Sequence, residues 1–186
     1  MSFQSWQQTL ITAQAAGTTL SNSTTATSIL VGQAKVTLAP SIIANVGAVI
    51  RVNLVGQISN LVTTPGTLTL DLRLGGTVVF TSGAMQLSTT AHTTLPLWWE
   101  VLLTAHGAGP AATFMGQGRC MSQAINISTA DSTSGHSMLL TPNITPATGG
   151  AIDLTSALQL DCFATFSIAS ASNAFTSQQF TVESLN

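Results

Sequence analysis

The stretch that decides the fold is Thr67-Leu68-Thr69-Leu70-Asp71-Leu72-Arg73-Leu74-Gly75-Gly76-Thr77-Val78-Val79-Phe80. From Thr67 to Leu74, leucines alternate with Thr, Asp and Arg at a strict period of two. Successive strand side chains point to opposite faces, so this is a strand with one face in a core and the other in water. Gly75-Gly76 then reverses the chain, because a two-residue hairpin turn requires positive φ at both positions and glycine supplies it without steric cost. Pro65-Gly66 punctuates the other end.

Working outward, the same grammar recurs. Val49 to Ile58 sets Ile50, Val52, Leu54 and Ile58 on one face and Arg51, Asn53 and Gln57 on the other, with Gly56 marking a bulge or a close backbone approach. Thr113 to Ser122 and Leu160 to Ser170 read as strands, the second carrying Leu160, Cys162, Ala164, Phe166 and Ile168 on one side. Gln33 to Leu38, Met138 to Thr141 and Phe175 to Leu185 are weaker strands. Eight or nine strands result, with almost no helix signal and no repeat at a fixed period. The fold expected is an all-β antiparallel β-sandwich of jelly-roll type, spanning residues 29–186, with Leu68, Leu70, Leu72, Ile50, Val52, Leu54 and Phe166 in one core. The turn-rich segments 83–94, 126–137 and 142–150 are its long loops.

Residues 1–28 read as an extended N-terminal arm. Gln, Thr, Ser and Ala dominate it, and 17–28 has Leu20 as its one large apolar residue. Phe3, Trp6, Leu10 and Ile11 give it anchors, and the expectation is that Phe3 and Trp6 dock onto a neighbouring chain, while removal of the arm leaves the sandwich folded.

Composition limits function. Of 186 residues, 45% are hydrophobic and 5% charged, against about 25% charged in an ordinary domain. Ser and Thr, about a quarter of the chain, take the place of the charges. A formal net charge of −2 with no Lys/Arg cluster disfavours nucleic-acid binding. No apolar run is long enough to span a membrane, and the first ten residues have neither the basic nor the apolar region of a secretory signal. So neutral a surface suits a protein partly covered by neighbours, and a homotrimer is the assembly expected.

Chemistry-bearing groups are sparse, and no enzyme activity is expected. His92, His106 and His136 stand in loop-like contexts with no spacing that places two on one face, so neither a metal nor a cofactor is anticipated. No HExxH, GxSxG, CxxC or phosphate-binding glycine loop occurs, and the six carboxylates form no recognisable glycosidase pair. Cys120 and Cys162 fall in apolar alternating segments and read as buried free thiols.

The candidate interface residues are Phe3, Trp6, Asp71, Arg73, Trp98, Trp99 and Glu100. Asp71 and Arg73 share a strand face and either pair as an exposed couple worth about 0–1 kcal/mol or meet another subunit. In Leu95 to Thr104, apolar on both faces, Glu100 needs an arginine or a subunit boundary. Trp98 and Trp99 must point to opposite sides of the sheet. One ring fills the core; the other is covered by a loop, anchors an interface or offers a sugar-stacking platform.

The segments Arg51-Val52, Gly56-Gln57-Ile58-Ser59-Asn60, Thr63-Thr64-Pro65-Gly66-Thr67-Leu68-Thr69-Leu70-Asp71, Arg73-Leu74-Gly75-Gly76-Thr77-Val78-Val79-Phe80, Gly83-Ala84-Met85-Gln86-Leu87, Trp98-Trp99 and Met115-Gly116-Gln117-Gly118 share one character. Together with Phe180 to Asn186, ending Glu183-Ser184-Leu185-Asn186, they resemble a family of small virion structural proteins of tailed bacteriophages. The likeness covers somewhat under half the chain, in turn and strand residues, and the arm is its least similar part. It implies location in the virion, assembled in the host cytoplasm, with the major capsid protein or other virion proteins as partners. A compact sandwich of this size without fibre repeats extends that reading to a capsid decoration (cement) protein. The alternative is a receptor- or carbohydrate-binding module of a tail or head fibre.

Overall fold

The computed structural model describes residues 7–43, 45–61, 63–126 and 138–185. Among these, the strands in chain order are β1 (Gln8–Ala13), β2 (Leu20–Ser21), β3 (Thr27–Ser28), β4 (Thr37–Leu38), β5 (Val49–Asn60), β6 (Thr67–Leu74) and β7 (Thr77–Thr81). They continue with β8 (Met85–Gln86), β9 (His92–Ala105), β10 (Phe114–Met121), β11 (Met138–Thr141), β12 (Leu158–Phe166) and β13 (Ala174–Ser184). Four of these, β2, β3, β4 and β8, are two-residue segments; the other nine match the strand number expected.

They form two sheets. One has the order β1-β13-β5-β9-β10-β11 with β2 also on β13; the other has β3-β12-β6-β7 with β4 on β12 and β8 on β6. All pairings between these strands are antiparallel. The pairing is nested, β5 with β13, β6 with β12 and β9 with β10, so the chain rolls up on itself into a β-sandwich. Between the sheets lies one continuous apolar core containing Leu68, Leu70, Leu72, Ile50, Val52, Leu54 and Phe166, all fully or almost fully buried. Strand β6 keeps the boundaries and the alternation of its sequence. Gly75 and Gly76 adopt φ of +55° and +90°, the hairpin geometry their pairing demands.

Gly56 is a close approach. A Cβ there would come within 2.7 Å of the Thr176 carbonyl oxygen and 2.8 Å of Phe175 Cζ. Opposite it, β13 slips register between Ser177 and Gln179. That bulge leaves Ser177 buried, its hydroxyl donating to the Ile29 carbonyl and its own carbonyl accepting from Gly17 N–H.

Three sequence expectations are corrected. The strand drawn over 33–38 is a 3₁₀ turn at Gly32–Ala34 followed by the short β4, because Ala34 and Lys35 N–H groups turn back onto the Val31 and Gly32 carbonyls. The strand drawn to Ser170 stops at Phe166, where Ser167 bonds reciprocally with the start of β6: its hydroxyl accepts from Thr67 N–H, and its N–H donates to the Thr67 carbonyl. The described part of the arm, 7–28, is a belt along its own sandwich: β1 and β2 extend the edge of β13, β3 crosses to β12, and Ile11 and Leu20 are buried in the common core. Phe3 and Trp6 lie outside the described residues.

Candidate functional site

The Trp98-Trp99 pair orients the seven-stranded sheet. Trp99 is completely buried, tilted against the Phe80 ring at 5.8 Å, with Nε1 donating to Thr141 Oγ1 at 3.2 Å. It belongs to the core and offers no interface. Trp98 points out and is 42% exposed, its Nε1 standing 3.5 Å from Asn53 Oδ1 on the neighbouring strand.

The registers of β5, β9, β10 and β11 place the outward residues in rows across the strands. One row is Val55, Trp98, Met121 and Met138; the next is Asn53, Glu100, Arg119 and Leu140; a third holds Arg51, Leu102 and Gln117. Leu102, Met138 and Leu140 are 41%, 48% and 70% exposed. Four large apolar side chains in water on one face, two on β9 and two on β11 across β10, are unusual, because a chain in water normally scatters such groups singly.

A depression of about 540 Å³ lies beside Trp98, lined by Val55, Pro96, Trp98, Met121 and Gln123 among others. Its origin is local. β10 ends opposite Trp98, at Met121, so among the described residues the N-terminal part of β9 pairs with β5 alone. Pro96 sits in that half-open stretch, where its missing N–H costs no ladder hydrogen bond. The chain leaves through Ser122 and Gln123, and the step it makes is the depression.

Charge on this face is neutralised within the chain. Glu100 Oε1 meets Arg119 Nη2 at 3.4 Å across β9 and β10, the first of the two partners its sequence context allowed, and Glu183 Oε2 meets Arg51 Nη1 at 3.4 Å across β13 and β5. On the other sheet Asp71 and Arg73 pair at 3.3 Å along β6, and the Arg73 guanidinium lies over the Phe163 ring at 4.0 Å from its centre. Lys35 meets Asp161 at 3.4 Å, and Ser28 Oγ donates to the same carboxylate. All four cationic side chains of the chain thus have carboxylate partners. Each pair is worth little at a surface, and together they leave no lysine or arginine without a carboxylate beside it. The structure brings Glu100 and Trp98 together on one face; Asp71 and Arg73 lie on the opposite sheet.

The remaining reactive groups do not converge. His92 opens β9 and His106 follows its last residue, so the two stand about 45 Å apart along an extended strand. His136 and Asp131 lie outside the described residues. Among the described residues no three His, Cys, Asp or Glu side chains cluster as a metal site. Cys120 and Cys162 are free and wholly buried, on β10 and β12. Burial raises both thiol pKa values, and the Asp161 and Asp71 carboxylates push Cys162 further the same way.

Sequence reading missed Val55, Leu102, Met121, Met138 and Leu140 as members of this face. The signal was partial: Leu102 stood in a strand apolar on both sides, and Met138 and Leu140 alternate with inward Leu139 and Thr141. Only the pairing of β10 with β11 brings them together.

No family model and no curated protein matches the chain. Among solved structures it is similar to the CBM2 module of Lactobacillus casei BL23 phage J-1 evolved Dit, at a TM-score of 0.32 and 6% sequence identity, over 81% of this chain and 68% of that one. A likeness at that level carries no argument about what this chain does.

Proposed function

We propose that this chain is a structural protein of a bacteriophage virion that works by docking and carries out no reaction. The observation that carries the reading is the outer face of the seven-stranded sheet, where Trp98, Leu102, Met138 and Leu140 stand exposed around an internally neutralised ion pair. Such a face gains from cover by protein and has no means of turning over a substrate. The resemblance of Arg51 to Gly118 to small virion proteins of tailed phages supplies the setting, and the finer role we assign is decoration of the capsid, with the chain seated on the head shell and stabilising it as a homo-oligomer.

A second reading has a specific observation behind it. An exposed indole with an asparagine amide at its Nε1 could stack on a neutral sugar and bond its hydroxyls, which suits a receptor- or carbohydrate-binding module at a tail or head fibre.

Immunogold labelling of intact virions with antibody against the purified chain separates these. Label spread over the whole head supports decoration. Label confined to a tail or fibre tip supports the second reading, and unlabelled particles of verified composition rule out both.

A further inference from the structure

The centre of the exposed face, from the row of Trp98 to the pair Glu100 and Arg119, is self-complementary. A line drawn along the strands midway between β9 and β10 divides the first row into two apolar halves and sets acid opposite base at the centre of the second, with Asn53 opposite Leu140 outside them and Leu102 opposite Gln117 in the third. Trp98 on one side answers Met121 on the other, Val55 answers Met138, and Glu100 answers Arg119. Apolar positions thus map onto apolar positions in the row of Trp98, the acid maps onto the base in the row of Glu100, and Leu140 and Leu102 each meet a side-chain amide.

We propose that this face joins two copies of the chain about a two-fold axis lying along that line. In such a contact, Glu100 of each copy meets Arg119 of the other. Because each also keeps its own partner at 3.4 Å, the four groups form a square of alternating sign. Charge complementarity of this kind rejects other registers, since a shift by one row sets the ions against Trp98 and Met121. The indole of Trp98 passes over Met121 of the second copy, which is a wall of the depression beside that copy's own Trp98. Ring and recess therefore exchange reciprocally, as an isologous interface requires. The stripe Val55, Trp98, Met121, Met138 becomes the dry centre, with the two-fold square of ions next to it. The assembly is a dimer, in place of the homotrimer that composition suggested. This names the partner of the face on which the docking reading rests; the dimer is read in solution with no particle present, whereas the virion setting is read by labelling particles, so the two can fail separately.

Sedimentation of the full chain at micromolar concentration is expected to give twice the 19.1 kDa chain mass. E100R alone places arginines against arginines at both ends of the square, and R119E alone places acids against acids; each should sediment as a monomer. An equimolar mixture of the two is expected to restore the dimer. In the mixed pair every contact between copies is again of opposite sign, while the pair inside each chain stays like-charged, so recovery cannot come from repaired folding. Trp98→Ser, at an exposed position, should raise the dissociation constant by about 30-fold with an unchanged far-UV circular dichroism spectrum. A wild-type chain that sediments at 19.1 kDa overturns the proposal. So does an oligomer indifferent to E100R, R119E and Trp98→Ser, a mixture that fails to recover, or a monomer whose Trp98 fluorescence is quenched by neutral oligosaccharide.

Discussion

Trp98 and Trp99 are consecutive in the chain and stand on opposite sides of one sheet, the first 42% exposed and the second not at all. Their substitutions should therefore behave oppositely. Trp99→Ala removes a ring packed on Phe80 and leaves the Thr141 hydroxyl without its indole donor, for a loss of about 3–5 kcal/mol in urea unfolding. Trp98→Ala should change the stability of the monomer by less than about 0.5 kcal/mol. Equal losses at the two positions would contradict the orientation of the sheet.

The N-terminal belt makes a second contrast. Deleting residues 1–21 takes β1 and β2 from the edge of β13 and removes Ile11 and Leu20 from the core. At roughly 1.5–3 kcal/mol for each buried side chain, the urea midpoint should fall substantially. A truncated chain that unfolds at the wild-type midpoint would show that the belt packs elsewhere, as on a neighbouring copy.

Both cysteines should be silent in the folded protein. Cys120 and Cys162 are buried between the sheets, and their raised pKa values suppress the thiolate that reacts. A disulfide-exchange reagent at pH 8 should label neither before unfolding and two per chain in guanidinium. Fast labelling of the native protein at either position would mean that the core opens locally.

Asp153, in the stretch between β11 and β12, is a small hydrogen-bond hub. Its carboxylate accepts from the Thr155 hydroxyl at 2.6 Å, the Thr155 N–H at 2.9 Å and the Ser156 hydroxyl at 3.1 Å. These bonds favour the ionised form, Thr155 foremost, and hold the pKa below its ordinary 3.8. A carboxyl with a lower pKa folded than unfolded contributes stability that is complete above 3.8 and is lost as pH falls through the folded value. Nuclear magnetic resonance titration should place the Asp153 midpoint under 3.8, and Thr155→Ala should move it back up. A midpoint unmoved by that substitution would assign the shift to another cause.

The sequence by itself determined the elements whose signal is local. Alternation from Thr67 to Leu74 states which residues are buried, and Gly75-Gly76 states where the chain turns, because pleating and backbone sterics act between near neighbours. It also dictated that Trp98 and Trp99 part company, but not which goes inward: a strand apolar on both faces reads the same from either side. That choice, the pairing of Glu100 with Arg119, and the gathering of Met138 and Leu140 beside Trp98 were decided by tertiary structure. Strands are joined through backbone groups that every residue carries, so sheet order leaves little trace in the side chains, and residues far apart in sequence become neighbours only when the sheet is laid down. The belt illustrates the same limit. With Ile11 and Leu20 spaced too thinly to announce a strand, residues 7–28 look like a free arm until β13 offers them an edge.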